Sequence, residues 1–534
     1  MAREKTRISV TFPVGGMNIV SSRTNQPQGT CVNALNVRPF DTLEGRARGG
    51  IRPGLSKYIA NSVRFEGNSR IQDINFVTLI KNAAPNTSAL WVRDTRSVAV
   101  SNGTIQEFSS TAINTANSTG NAALAANAPF ILSATLYGEV FYTDGINYKR
   151  WYGSNNIAVD WTVSNTSSLP GSLGNTACRL IETWDGRIVM SGLRTDPNNW
   201  FMSAKGDPED FDYAPANTTE LQAVTGAVGV VGKMDDVINC MIPYSEDILI
   251  FGCDHSLWQM SGNPMGGGRI DNISQNIGTP FGRPWCRDPE GNVYFFSNRG
   301  NIYMMPPYGA KPLPLSDSIS PLIDTVNLNT NFIRLEWDDE ADGIMVWVTP
   351  FTAGTTKHWF FDSKTRGWFP YQYANTNYNP IAVKLFDGDL VGDRVVMLGG
   401  EDGYIRFANT SQAKDDGTVF PATVTLGPLK VGEKPQRLLI THISARTDIN
   451  SVNTKYEILV GDTPEKAQRS EAAVFIGDGG FTAGLSDTHN PMEGGYFGYV
   501  KVGTNSATAS WALESVNLDI ELVATDTGRQ RTSA

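Results

Sequence analysis

The chain has 534 residues, 40% of them hydrophobic and only 18% charged, with a formal net charge of −10. That length exceeds one hydrophobic core of ordinary size, so two or three domains are expected. The acidic balance excludes a protein that coats nucleic acid through a broad basic surface, and the sequence has no continuous apolar run long enough to span a membrane as a helix.

Asn, Thr, Ser, Gly and Pro fill the gaps between short apolar runs, the texture of short strands joined by many turns. At the start, Ile8, Val10, Phe12 and Val14 alternate with Ser9, Thr11 and Pro13. This reads as a strand rather than the apolar region of a signal peptide, so no secretory leader is expected. A polar, Arg-rich stretch follows: Gly15-Gly16-Met17-Asn18, then Asn33-Ala34-Leu35-Asn36-Val37-Arg38-Pro39-Phe40, then Glu44 to Gly54. Within it Arg46, Arg48 and Arg52 sit on a Gly-rich loop, where guanidinium groups can grip phosphates or a neighbour's carboxylates. They are the candidate interface to a partner subunit or adaptor, against the plainer reading of a solvated turn. Residues 1–70 are therefore read as an N-terminal arm.

From 71 to 412 one pattern recurs: a strand, an acidic or Gly-rich turn, a strongly apolar strand, a second turn and a strand carrying an aromatic. Leu180 to Met190 is one copy, Trp285 to Phe296 another and Arg334 to Val348 a third. Marker residues Leu90, Val140, Ile188, Ile248, Val293, Ile344 and Val395 recur at roughly 51 residues, near the repeat length of propellers. Four-stranded sheets of this size cannot bury both faces alone, and radial stacking buries them. The expectation is an all-β chain built on a β-propeller of six to eight blades, best seven. The alternative is a run of unrelated meanders. After 413 strict alternation takes over, cleanest where Val516, Leu518, Ile520 and Leu522 alternate with Asn517, Asp519 and Glu521. Residues 413–534 are read as a C-terminal β-sandwich, with the polar segment Gly461 to Arg469 and the Gly-rich stretch Gly477 to Gly495 as its loops.

Little in the chain carries chemistry. Cys31, Cys178, Cys240, Cys253 and Cys286 are odd in number and form no CxxC pair, which favours a reducing compartment over a disulfide framework. Seven Asn-x-Ser/Thr sequons, Asn86-Thr87-Ser88 among them, then reflect composition rather than glycosylation. His255, His358, His442 and His489 lie apart without ligand spacing, so no metal is expected. No nucleophile elbow or phosphate-binding loop is present, and Met265 to Arg269 reads as a flexible loop. No cofactor follows. Carboxylates cluster at Asp207-Pro208-Glu209-Asp210, Asp338-Asp339-Glu340 and Asp387-Gly388-Asp389. A propeller glycosidase needs two carboxyls facing across a substrate, whereas these sit mainly where turns need Asp. The chain is read as not an enzyme.

The N-terminal phrases and Ser203-Ala204-Lys205-Gly206-Asp207-Pro208-Glu209-Asp210-Phe211-Asp212-Tyr213 resemble structural tail proteins of short-tailed bacteriophages, closest to the tail hub or nozzle group. The C-terminal strand near Trp511 with its basic close Gly528-Arg529-Gln530-Arg531 resembles them more weakly. The resemblance covers about a fifth of the chain by motif. It implies a hexameric ring carrying propellers below the portal and its adaptor, in a virion assembled in the host bacterial cytoplasm. Such a ring conducts DNA without gripping it and holds fibres or a plug. It implies no catalytic residues. A receptor- or glycan-binding tail component is the alternative reading, and a propeller glycosidase the second.

Overall fold

The computed structural model describes all residues except 1–4, 60–62, 83–90, 119–122, 165–166, 175, 308–310, 353, 430–435, 452–453, 469–478, 490, 505–509 and 524–534. Seven sheets, antiparallel except for the short edge strand Asn117–Ser118 that pairs parallel with Ile157–Asp160, follow one another along the chain and form the blades of a propeller, as the repeat predicts. Each blade begins with its innermost strand: Ile71–Asn82, Leu132–Leu136, Leu180–Trp184, Ile238–Ser245, Trp285–Arg287, Asn331–Asp338 and Ala382–Asp387. The last of these lies against the first, which closes the ring. The markers Val140, Ile188, Ile248, Val293, Ile344 and Val395 fall one strand further out, on the second strand of each blade. That strand is covered on both faces and on both edges, which is why it is the most uniformly apolar and the easiest to find. Leu90 and the sequon Asn86-Thr87-Ser88 lie outside the described residues. The turns explain the spacing: in blade 3, Asp185 and Gly186 both take positive φ, 48° and 67°, as a two-residue hairpin turn requires.

The seventh blade is completed from the other end of the chain. Its fourth strand is Gly54–Lys57, which pairs antiparallel with Ile405–Asn409. The ring is therefore clasped by a segment synthesised before its first blade.

The sandwich is also shared between the ends. One sheet runs Lys5–Thr11, Leu513–Val523, Arg437–Thr447, with Leu485–His489 and Glu493–Gly495 along the far edge. The other runs Asn33–Leu35, Thr423–Leu429, Phe497–Thr504, Thr454–Gly461, Gly479–Phe481. Val516, Leu518 and Ile520 face Val424, Leu426 and Val500 across the layer, all buried. The same apolar cluster continues through Phe12, Met17 and Trp368 into blades 5 and 6, so propeller and sandwich share one core.

Two expectations need correction. Residues 1–70 are not a separate arm: they supply one strand to each sandwich sheet and the closing strand of the propeller. An unpaired strand exposes its backbone polar groups, and incorporation into three sheets satisfies them. The stretch Gly477 to Gly495 is not simply a loop, because three short strands within it pair with Arg437–Thr447 and Thr454–Gly461 of the sandwich. The segment Gly461 to Arg469 contains the short helix Pro464–Gln468.

Candidate functional site

The Arg-rich stretch lies at the joint between propeller and sandwich, and the structure separates its three arginines. Arg52 is 1% exposed. Its guanidinium binds Asp415 through two bonds, Nη1 to Oδ1 at 2.8 Å and Nη2 to Oδ2 at 2.6 Å. Nε donates to Asn36 Oδ1 at 3.0 Å, and the remaining Nη hydrogens go to the carbonyls of Pro53 and Gln372 at 2.7 and 3.1 Å. All five donors are thus used, and the Phe420 ring stacks 3.7 Å from the guanidinium carbon. Asp415 also accepts from the backbone of Leu55 and Ala374. One ion pair therefore ties together the N-terminal segment, the loop after blade 6 and the linker after blade 7.

Arg48 is nearly as enclosed. It meets Asp41 at 3.0 Å and Glu44 at 3.2 Å, and it pairs with Asp448 in the sandwich. Asp41 in turn accepts from the backbone nitrogens of Leu43, Glu44 and Arg46, which sets the loop's shape. Only Arg46 points outward. It is two-thirds exposed, pairs with Glu44 at 2.8 Å, and borders a shallow groove with Thr11, Phe12, Val14 and Glu514.

Arg38, not singled out from sequence, belongs to the same joint. It lies over the Phe360 ring at 4.2 Å, meets Asp338 at 3.3 Å and donates to the Tyr371 hydroxyl. Nothing in the local sequence distinguishes it from a surface arginine, because its partners lie some 300 residues away. The Gly15-Gly16-Met17-Asn18 phrase docks on blade 6, where Met17 N donates to Trp368 O at 2.9 Å. Gly16 has φ 72°, and a Cβ there would sit 2.5 Å from Trp368 N, so the approach admits glycine only.

The propeller axis is filled. At the mouth where the inner strands begin, Phe130 packs on Phe281 with ring centres 4.6 Å apart, and Phe332 on Phe351 at 4.4 Å. Arg179 covers the Phe281 ring. Deeper in, Arg283 of blade 5 reaches across to blades 2 and 3, donating to Ser133 O at 2.5 Å and Glu182 Oε2 at 2.9 Å. Ser133 donates to Asp73 and accepts from Asn75. Arg334, Glu336 and Lys384 complete this set of three cations and three carboxyls. Burial raises the pKa of Asp73 and of Glu336. Burial, with repulsion from Arg283 second, pushes Arg334 down to about 10 and lowers Lys384. Balanced charges fastened across a ring make a plug that ties blades together.

The three carboxylate clusters lie on three different blades, and acids of each are taken up in ion pairs; the second and third come nearest at Arg394, which pairs with Asp339 and stands opposite Asp387 in its sheet. Glu209 pairs with Arg150, Asp338 with Arg38, Asp339 with Arg394, and Asp387 and Asp389 hold Arg93. Met265 to Arg269 is the turn before the last strand of blade 4, with Arg269 paired to Asp271. His358 is buried in blade 6, while His255 is exposed beside Asp236 and Asp254. All five cysteines are buried and unpaired. Among the described residues no helix is long and apolar enough to cross a membrane.

No family model matches this chain, and no curated protein matches it. Solved structures that align with it include YCF48 bound to D1 peptide, at 13% identity and TM-score 0.36 over 67% of this chain and 97% of that one. The extracellular domain of the hybrid two component system BT4673 from B. thetaiotaomicron aligns at 10% identity and TM-score 0.41, over 87% of this chain and 59% of that one. An ancestral GH74 enzyme aligns at 11% identity and TM-score 0.37, over 74% and 53%. The propeller assignment stands on this chain's own sheet order and ring closure.

Proposed function

We propose that this chain is a ring-forming structural component of a bacteriophage tail, a hub or nozzle that continues the DNA path below the portal and its adaptor. The observation that carries this reading is where the resembling phrases lie. Gly15 to Asn18, Asn33 to Phe40 and Arg46 to Gly54 all build the joint between propeller and sandwich, so their work in this chain is architectural. The phrase Ser203 to Tyr213 likewise forms the outer turns of blade 3, held by Glu209 on Arg150.

In this reading six copies form the ring, with propellers at the periphery and the sandwich toward the centre. The ring contacts the adaptor and other tail proteins, holds fibres or a plug, and belongs to the virion. DNA passes through the opening between copies, because each propeller's own axis is occupied by side chains. The chain is not an enzyme in this reading. Negative-stain images of the purified protein, alone and mixed with tail components, test it. A sixfold ring with a central channel is expected. A single copy or a threefold ring in the assembled tail overturns it.

A further inference from the structure

The outer face of the second sandwich sheet carries a pocket of about 480 Å³. Its floor is a single cross-strand row: Asn33 stands opposite Thr425, Thr425 opposite Lys501, and Lys501 opposite Glu457, across four adjacent strands. Val424, Val500 and Ile458, one residue along each strand, are buried in the core, so the pleat turns this polar row outward. Val32 and Leu459 flank it with apolar surface. The roof is a bridge from outside the sheet. Arg23 Nη1 donates to Gln468 Oε1 at 2.7 Å, with Gln468 at the end of the helix Pro464–Gln468. The Tyr499 hydroxyl donates to the carbonyl of Arg23 at 3.3 Å, which holds that segment over the sheet.

The lining is chemically mixed in a way that selects a ligand. Glu457 is met by Lys501 at 3.2 Å on one oxygen and by Lys455 of its own strand at 3.4 Å on the other, and each oxygen keeps a further lone pair as an acceptor. Arg23 has no carboxylate partner among the described residues, so the lining holds one unmatched positive charge, on a guanidinium able to take a carboxylate through two bonds. Asn33, Thr425 and Glu457 together offer donors and acceptors suited to hydroxyl groups, and Val32 and Leu459 offer apolar surface for a ring of C–H groups. A bare phosphate would gain from Arg23 and Lys501 but would meet the Glu457 carboxylate on the same floor.

We propose that this pocket binds an acidic sugar: a monosaccharide unit whose carboxylate lies on Arg23 and Lys501 and whose hydroxyls lie on Asn33, Thr425 and Glu457. The proposal does not rest on the ring reading. A ring that binds no sugar, and a sugar-binding chain that forms no ring, are separate results.

The test is saturation-transfer difference NMR on the full chain with glucuronate, galacturonate and N-acetylneuraminate as probes. Glucose serves as the neutral arm, and inorganic phosphate, which has no non-exchangeable proton to observe, is added as the bare-anion competitor. At least one acidic sugar is expected to receive saturation at millimolar concentration, with glucose weaker by about tenfold or more and phosphate displacing the acidic sugar only at about tenfold higher concentration. Arg23→Gln is expected to weaken the acidic sugar by about tenfold while leaving the melting temperature unchanged, because Arg23 is exposed and outside the sheet. Lys501→Gln reports the second contact where it melts as the parent does. No saturation of any acidic sugar, equal affinity for phosphate, or undiminished binding by Arg23→Gln overturns the proposal.

Discussion

At the scale of single residues, the joint depends on charge that is fully enclosed. Truncating Arg52 leaves Asp415 buried without its counter-ion, so Arg52→Ala should cost about 3–5 kcal/mol in denaturant unfolding. Arg52→Lys should recover little, because an ammonium cannot reach the five acceptors the guanidinium fills. Arg46→Ala should change stability by less than about 0.5 kcal/mol, since its pair with Glu44 is exposed. A tail-assembly defect in that variant alone would locate a partner contact there; normal assembly would remove Arg46 from the interface. His358 supplies a pH dependence. Its Nδ1 accepts from Val348 N at 3.3 Å and its Nε2 faces Asn379 Oδ1 at 2.8 Å, a pattern that fits the neutral ring with hydrogen on Nε2. Burial lowers its pKa from 6.5 to about 4. The unfolded chain therefore binds a proton that the folded chain refuses between these values. Stability from this residue is full above pH 6.5 and declines as pH falls toward about 4, by about 3 kcal/mol in all. Unfolding of His358→Gln across that window should lack this component. Thiols give a third check: burial pushes Cys31 and Cys178 up to about 12, so an aromatic disulfide reagent should find them inert at neutral pH until the chain unfolds.

At the scale of elements, legibility followed packing. The second strand of blades 2 to 7 is largely enclosed, and its apolar run announces the repeat; in blade 1 the corresponding strand, Trp91–Ser101, is buried only in its second half. The sandwich strands have one wet face, and their alternation, as in Leu513–Val523, was as plain. What could not be read was pairing over long separations. Nothing in Gly54-Leu55-Ser56-Lys57 says that it closes a blade ending at Asn409, and nothing in Lys5–Thr11 names Leu513–Val523 as its partner. The three short strands between 479 and 495 escaped because glycine and polar residues supply no period. Arg46, Arg48 and Arg52 were legible as a cluster, but the burial of Arg48 and Arg52 was not, since it comes from Asp448 and Asp415 far along the chain. The closing strand yields a sharp expectation. A Cβ on Gly54 would stand 2.1 Å from the backbone oxygen of Lys414. Gly54→Val should push the strand off Ile405–Asn409 and open blade 7, seen as new protease cleavage between blades 7 and 1 with the sandwich still protected. An unchanged digestion pattern would mean the clasp is dispensable.

At the scale of the whole molecule, the expected conduit should let DNA pass without holding it. Six copies at −10 each total about −60, so a lumen lined mostly by acidic or neutral groups is expected, and each phosphate contact would add salt-dependent affinity. Filter binding near physiological salt should find only weak, sequence-independent affinity for duplex DNA. Submicromolar binding, or a channel lined continuously by Lys and Arg, would mean the ring grips its cargo.

The pairing of Lys5–Thr11 with Leu513–Val523 sets a clock on synthesis. The first strand leaves the ribosome about 500 residues before its partner, which at about 5–20 residues per second is a wait of about 25–100 s. Throughout that interval its edge is bare, and Lys5 and Arg7 are the charges that keep it from joining a stranger. The sandwich is then completed only once the chain has been made as far as Val523. A truncated nascent chain cannot present that face, so only chains translated to the final strand would enter assembly.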